Sequence, residues 1–227
     1  DKNRPHAQFE MQELQPQLPA PLQSWSDNQF DYQTFSATAL PEQLSQVLGN
    51  LAAANLGVQL QWMLQLTLLV ESFHQRQLVL GDLRACAIFR CANSRTLVLL
   101  DAAQATAISS VNSLKLQQHD DVNALRTVAP EATGRVNAPL DQRTDLYSLG
   151  VLFYAIVAGR YPFEQLQPIE LVHAHIALTP PPLPLVPAAL STVILTLLQK
   201  NPNQRYSQIK GLRHDLELLL NQWQQQR

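Results

Sequence analysis

The 227-residue sequence carries 16 basic and 18 acidic side chains, a formal net charge of −2, and 46% of its residues are apolar. This composition predicts a globular domain with a buried core and excludes an intrinsically disordered chain. Because no basic stripe and no apolar run of about 18 residues occurs, neither nucleic acid as a partner nor a membrane span is expected.

The cysteine content points to a reducing compartment. The only two cysteines, Cys86 and Cys91, are separated by an odd number of positions and would face opposite sides of a strand. A disulfide between them is not expected, and without a nearby His cluster they make a poor metal site. No signal-peptide pattern is present in the first residues, so a cytoplasmic location is expected.

The first segments of the chain are expected to be mostly irregular. Residues 1–28 are polar and contain four prolines, which predicts an irregular lead-in. The aromatic residues between Gln29 and Phe35 alternate well enough to indicate one short strand. A loop with buried aromatic side chains is the alternative for that segment.

Two helices are expected next. The first covers Leu40 to Asn50 and has Pro41 in its first turn, where proline costs little. The second begins after Asn55, which is placed to cap it, and ends near Gln75. Its apolar residues recur at helical spacing, so it should lie in the core. His74, near its C-terminal end, is expected to be a solvated side chain that interacts with the helix dipole.

Short strands and a long loop follow. Apolar segments at Ile88–Phe89 and Leu97–Leu100 predict two strands, with a turn at Asn93–Ser94. Residues 102–128 are small and polar and show no periodicity. A loop of this length in a compact domain is usually functional or mobile.

The C-terminal half is expected to be helical. The helix from Arg143 to Ala158 is apolar on all sides, which indicates burial on all sides, and Gly159 marks its end. Three further helices are predicted over Ile169–Ala177, Pro187–Lys200 and Gln204–Gln222. The glutamine-rich last residues of the chain, 223–227, are expected to fray.

Five short motifs occur along the chain in this order: Leu80-Gly81-Asp82-Leu83-Arg84, Leu99-Leu100-Asp101-Ala102-Ala103, Val128-Ala129-Pro130-Glu131, Asp145-Leu146-Tyr147-Ser148-Leu149-Gly150 and Asn201-Pro202-Asn203-Gln204-Arg205. The order resembles that of the protein kinase C-lobe, which runs from catalytic loop and metal-binding Asp through the activation segment to the central and final helices. The resemblance implies a mainly α, kinase-like C-lobe with short β-hairpins over residues 29–222, including an activation segment at 101–131.

In the resemblance, the strand predicted between Gln29 and Phe35 is the last strand of the N-lobe and leads to the hinge, and the other features of a kinase N-lobe do not occur before it. The sequence contains no Gly-x-Gly pair, and none of its four lysines lies on a strand there. ATP would lack both the glycine-rich loop and the strand lysine that bind its phosphates. The N-lobe is therefore expected to be largely missing, either because the chain is a fragment, which its start at Asp1 favours, or because the N-lobe was lost.

The resemblance assigns chemistry to three residues. Asp82 stands at the position of the catalytic Asp. Arg84 replaces the Lys that contacts the transferred phosphate, and it keeps the charge but not the shape of that side chain. Asp101 stands at the position of the Asp that binds the Mg²⁺ of Mg-ATP.

Several positions depart from the family pattern. Leu80, Gly81 and Ala87 stand where the family has His, Arg and Asn, and a methyl group cannot coordinate Mg²⁺. The Phe and Gly that follow the metal-binding Asp in the family are both alanine here. Asp82 and Asp101 could together hold one Mg²⁺ weakly, or they could serve only as acceptors that cap loops.

The residues that have structural roles in the family pattern match this sequence more closely than the catalytic residues do. Glu131 and Arg205 match a buried ion pair of the family between the Ala-Pro-Glu motif and the last helices. Burying either charge alone would cost several kcal/mol, so the presence of both is self-consistent. Asp145, at the start of the central helix, is placed to accept backbone N–H groups of the catalytic loop.

Three hypotheses for the function remain open. The first is a regulatory pseudokinase that binds protein partners or neighbouring signalling domains; its sequence looks like the bacterial Ser/Thr kinase-like domains that precede AAA-type ATPase, GAF and histidine kinase regions in very large proteins. The second is an active Ser/Thr kinase that uses ATP and Mg²⁺ and has its N-lobe outside this chain. The third is an all-α interaction adaptor with chance motifs. Ala87 favours the first hypothesis over the second, which Asp82 and Asp101 keep open.

Overall fold

A computed structural model describes residues 23–26, 31–34, 39–100, 105–107 and 122–226. The helices in these residues are α1 (Leu44–Ala52), α2 (Leu56–His74), α3 (Val122–Leu125), α4 (Gln142–Ala158), α5 (Pro168–Ala177), α6 (Ala188–Leu197) and α7 (Ile209–Gln225). The strands are β1 (Gln23–Ser26), β2 (Asp31–Thr34), β3 (Glu42–Gln43), β4 (Leu78–Val79), β5 (Ile88–Arg90), β6 (Leu97–Leu99) and β7 (Thr106–Ala107). The fold is mainly α, as the sequence predicted.

The strands form small antiparallel sheets. β1 pairs with β2, β4 pairs with β7, and β3, β5 and β6 form a sheet in that order. Ile88 lies opposite Leu99 in the β5–β6 hairpin, and the two strands and the turn between them were expected from the sequence. The strand β1 lies inside the stretch that was expected to be irregular, which corrects that prediction at residues 23–26.

Local capping interactions set the start of α2 and both ends of α4. Asn55 Oδ1 accepts a hydrogen bond from Val58 N at 3.1 Å and begins α2 where the sequence predicted. Asp141 begins α4, since its side chain accepts from Arg143 N at 2.8 Å. Gly159 ends α4 with φ of 70°, a left-handed conformation that costs glycine little.

The central helix α4 is buried along almost its whole length. Tyr147, Phe153 and Tyr154 are among its fully buried side chains, and the helix packs against α1, α2 and α6. Gly150 permits the close approach of α6, because a Cβ there would lie 2.7 Å from the Cβ of Leu197. The apolar sequence of α4 predicted this burial.

Several helix boundaries differ from the prediction. α6 ends at Leu197, not at Lys200, and α7 begins at Ile209, not at Gln204. α1 begins at Leu44, not at Leu40, because Glu42 and Gln43 pair with β5 as strand β3. α7 runs to Gln225, beyond the predicted end at 222, and Trp223 packs so closely on α2 that a Cβ at Gly57 would overlap its indole. Packing against α2 thus extends a helix end that sequence alone assigned to a frayed tail.

The described residues also bear on the expectations about membranes and cysteines. None of their helices is long and apolar enough to cross a membrane. Cys86 is exposed and Cys91 is buried, and no disulfide joins them, in agreement with the expectation from their spacing.

Candidate active site

The segment that carries Asp82 is held in place by the small strands around it. Residues 80–87, which we call the loop segment, begin directly after β4 and end in a short 3-10 helix, Ala85–Ala87. Gln43 Nε2 donates to the carbonyl of Cys86 at 2.6 Å, and Leu100 N donates to the carbonyl of Ala87 at 2.8 Å. The C-terminal end of the loop segment is therefore fixed by contacts of its backbone with β3 and with the residue after β6.

The start of the loop segment is bonded to the first turn of α4. The carboxylate of Asp145 accepts hydrogen bonds from the backbone N–H groups of Leu80 and Gly81, each at 2.9 Å. Gly81 has φ of 72°, which a residue with a side chain adopts only with strain. The structure thus brings together Asp145 and the backbone that the sequence predicted it would hold.

His74 is the third partner of Asp145, and here the prediction of a solvated side chain was wrong. His74 Nε2 and Asp145 Oδ2 lie 2.8 Å apart, with 3% and 1% of the two side chains exposed. The end of α2 lies against α4, so the imidazole is buried and meets the carboxylate. No local sequence signal indicates this contact, because the two residues lie 71 positions apart.

Asp82 and Arg84 form an ion pair within the loop segment. Arg84 Nε lies 3.0 Å from Asp82 Oδ2. Only 8% of the Asp82 side chain is exposed, against 24% for Arg84. The cation that the resemblance places where the family has a lysine therefore lies directly on the carboxylate of Asp82.

The described residues do not form a complete magnesium site. Ala87, at the position where the resemblance implies a metal-binding Asn, is buried at the end of the loop segment and offers only a methyl group. No group of three or more His, Cys, Asp or Glu side chains that could hold a metal occurs in residues 39–100, 105–107 and 122–226. Asp101, the expected metal-binding residue, lies outside the described residues, so its position relative to Asp82 stays a prediction.

A second buried ion pair joins the end of the predicted activation segment to the last helices. Arg205 donates to both carboxylate oxygens of Glu131, at 2.6 and 2.9 Å, and both side chains are fully buried. Its remaining N–H groups donate to the carbonyls of Arg143, Gln199 and Lys200. All five donors of the guanidinium are thus occupied, which is what a buried arginine requires.

A polar cluster that the sequence did not predict lies beside this ion pair. Tyr147 OH and His175 Nδ1 lie 3.0 Å apart, and Lys200 Nζ donates to the carbonyl of His175 at 2.7 Å. Burial and the nearby Lys200 charge lower the pKa of His175 to about 3. Burial and the nearby Arg205 lower the pKa of Lys200 to about 8. One indication that His175 is buried lay in the sequence: it follows the buried Leu171 by four residues and so lies on the same helix face.

Comparison with known proteins finds a family model and relatives that all carry kinase descriptions. Residues 37–216 match the family model described as protein kinase domain. The chain is 40% identical over 118 residues to hybrid signal transduction histidine kinase G of Dictyostelium discoideum, which covers 48% of this chain and 3% of the relative. It is 28% identical over 194 residues to peroxide stress-activated histidine kinase mak2 of Schizosaccharomyces pombe, covering 81% of this chain and 8% of the relative.

A bacterial relative carries a Ser/Thr kinase name. The chain is 32% identical over 158 residues to serine/threonine-protein kinase Pkn1 of Myxococcus xanthus, which covers 66% of this chain and 22% of the relative. The chain therefore spans a small part of the length of each of these three relatives, from 3% to 22%.

Proposed function

The chain belongs to the protein kinase domain family, and we propose that it acts as a regulatory, kinase-like signalling domain with impaired phosphoryl transfer. Family membership rules out the hypothesis of an unrelated all-α adaptor with chance motifs. The observation that carries the proposal is Ala87, whose buried methyl group ends the loop segment where the family places a metal-binding Asn. Without that ligand, the Mg²⁺ that neutralises charge on the transferred phosphoryl group is poorly held.

The ion pair inside the loop segment supports the same proposal. A catalytic Asp works by accepting the proton of the attacking hydroxyl, so its carboxylate must face the substrate. Asp82 instead has the guanidinium of Arg84 at 3.0 Å. The charge of this carboxylate is therefore already paired with a cation of the same loop segment.

The contacts that stabilise the fold are present, and a regulatory domain depends on these contacts and not on catalysis. The Glu131–Arg205 pair and the contacts of Asp145 fix the activation-segment end and the loop segment on α4. A fold whose interior is fixed in this way is suited to bind protein partners or neighbouring domains of the same protein. Of the three relatives described above, two carry histidine kinase names and match this chain over less than a tenth of their length. We therefore infer a cytoplasmic role next to further signalling domains, such as AAA-type ATPase, GAF and histidine kinase regions.

An active Ser/Thr kinase that uses ATP and Mg²⁺ is the second candidate. A specific observation favours it: Asp82 keeps the catalytic position in a loop segment whose backbone is held at both ends. In this case Asp101 would bind Mg²⁺ and Arg84 would contact the transferred phosphate. The N-lobe would then lie outside this chain.

Binding of Mg-ATP separates the two candidates. We would measure the thermal unfolding of this chain, and of a longer form that includes any residues preceding Asp1, with and without Mg-ATP. A ligand at about 100 times its dissociation constant stabilises a protein by about 2.7 kcal/mol, which is easily measured. The regulatory proposal predicts no shift in either form. A shift that disappears in Asp101→Ala, together with phosphate transfer that disappears in Asp82→Asn, would establish the active kinase instead.

A further inference from the structure

Glu71 is a buried carboxylate on α2 that is bound by a cation from α7. Its Oε2 accepts a hydrogen bond from Arg213 Nη1 at 2.8 Å, and only 4% of its side chain is exposed. The side chain of Arg213 is 35% exposed, so this ion pair reaches from the interior to the surface. Glu217, one turn later on α7, is a second and more exposed carboxylate, with its Oε1 3.6 Å from Arg213 Nε. The cation that neutralises Glu71 therefore also lies close to an acid at the surface.

Glu71 and His74 each have one buried atom without a partner. Within the part of the chain that the structure describes, Glu71 Oε1 and His74 Nδ1 are inaccessible to solvent and make no hydrogen bond. The two residues are three positions apart on α2, so their side chains leave the same face of the helix about 5–6 Å apart. An unpaired buried polar atom is costly. A proton placed between Oε1 and Nδ1 would satisfy both atoms.

The contact of His74 with Asp145 explains why the two atoms are unpaired. The carboxylate of Asp145 accepts two backbone N–H groups of the loop segment, so it is an acceptor and His74 Nε2 supplies the proton of their shared contact. In a ring with a single proton, Nδ1 is then an acceptor. Glu71 Oε1 is an acceptor as well while Arg213 keeps the carboxylate ionised. Two acceptors do not bind each other, and a second ring proton would join them.

We propose that Glu71 is a positioning residue that couples Arg213 on α7 to the loop segment through His74. While Arg213 is bound, it balances the buried charge of Glu71. When Arg213 is drawn away, a proton from solvent binds to His74 Nδ1, and the charged ring replaces the guanidinium as the counter-charge. The imidazolium then donates to Glu71 on α2 and to Asp145 on α4, which are the charged groups that the structure places next to it.

The charged ring would act on the loop segment and leave the end of α2 in place. Gln142 Nε2 donates to the backbone carbonyl of His74 at 3.0 Å, which keeps α2 attached to α4. Asp145 Oδ2 is shared between His74 Nε2 and Leu80 N, so a stronger attraction to the ring weakens its bond to Leu80. A contact at the exposed end of Arg213 thereby reaches the residues directly before Asp82. This coupling holds whether or not the domain transfers phosphate.

Arg213→Gln tests the coupling because it removes the cation and keeps a polar side chain. Amide hydrogen exchange and ¹⁵N spectra of the histidine rings are measured on the folded chain by NMR. We expect the His74 ring to gain a proton on Nδ1, and the amide of Leu80 to exchange about tenfold faster relative to the amides of the β5–β6 hairpin. The matched control, Glu217→Gln, removes the exposed acid beside the same arginine and should change neither quantity. A His74 ring that keeps a single proton, or equal acceleration in the hairpin and at Leu80, would overturn the proposal.

A double variant separates the freed charge from the lost contacts of the arginine. In Arg213→Gln combined with Glu71→Gln, residue 71 carries no charge, and its amide N–H can donate to the unprotonated Nδ1 of His74. We expect a His74 ring with one proton and exchange at Leu80 within about twofold of the unmodified chain. If the double variant kept the fast exchange at Leu80, the lost contacts of Arg213 and not the charge of Glu71 would be the cause, and the proposal would be wrong.

Discussion

His74 Nε2 and Asp145 Oδ2 lie 2.8 Å apart in the core, and the same carboxylate accepts the backbone N–H groups of Leu80 and Gly81. One side chain from α4 thus joins the end of α2 to the loop segment. The carboxylate is almost fully buried, so its charge is balanced by these three hydrogen bonds and not by water. The shape of the candidate active site depends on this junction.

The first prediction concerns Asp145. Asp145→Asn replaces one acceptor oxygen by an N–H₂ group, which faces a backbone N–H or His74 and leaves at least one buried donor unpaired. We expect a loss of about 2–4 kcal/mol in the free energy of unfolding, measured by urea denaturation. The matched control is Asp141→Asn, the same change at the partly exposed N-cap of α4, which should cost at most about 1 kcal/mol because Asn also caps helices well. Equal losses in the two variants would contradict the central role of Asp145.

The second prediction concerns the backbone of Gly81. Its φ of 72° places it in the left-handed region, and both its N–H and that of Leu80 must point at Asp145. Gly81→Ala should therefore lower the free energy of unfolding by about 1–2 kcal/mol. Gly49→Ala is the control: Gly49 lies in α1, and a Cβ added to it would have no neighbouring atom within 4 Å, so alanine there should stabilise by up to about 1 kcal/mol. A stabilising effect at both positions would show that the loop segment does not hold residue 81 in this conformation.

The third prediction concerns the Glu131–Arg205 pair. Glu131→Gln leaves a fully buried guanidinium without its counter-charge, and this should cost about 3–5 kcal/mol in chemical denaturation. The control is Glu164→Gln in the exposed pair Arg160–Glu164, whose side chains are 54% and 53% exposed and 3.8 Å apart. That change should alter stability by less than about 0.5 kcal/mol. A small effect at Glu131 would mean that water reaches the buried pair.

Local sequence signals were sufficient to predict the long helices. α2 has helical periodicity and an N-cap at Asn55, and α4 is an apolar stretch that ends at Gly159, so each of these signals lies within or beside the helix itself. The order of the motifs also predicted which segments lie near Asp145. These features depend on neighbours along the chain, so they can be recognised before the fold is known.

The polar interior could not be predicted in the same way. His74 meets Asp145 across 71 positions and His175 meets Tyr147 across 28, and nothing in the flanking residues of either histidine encodes its partner. A histidine near a helix end is usually solvated, and only the packing of α2 and α5 on α4 makes these two buried. The short strands β1 and β3 were missed for a related reason, since β3 exists only by pairing with β5.

The last prediction concerns acid stability and follows from His175. The imidazole is fully buried, and its pKa is lowered to about 3 by burial and by Lys200, against about 6.5 in an unfolded chain. Between these values the unfolded state binds one more proton than the folded state, so stability rises with pH there and is lost as the pH falls. From pH 7 to pH 5 this group should lower the free energy of unfolding by about 2 kcal/mol.

The test compares two histidines on the same helix. His175→Asn keeps an acceptor in the place of Nδ1 for Tyr147 OH but cannot take up a proton, so the stability of this variant should fall less than that of the unmodified chain between pH 7 and pH 5. His173→Asn, two residues earlier and exposed, should leave the pH dependence unchanged. Urea denaturation at both pH values measures the difference even if His175→Asn is less stable overall. If the two variants showed the same pH dependence, protonation of His175 would not be the cause of acid unfolding, and the buried carboxylates would have to account for it.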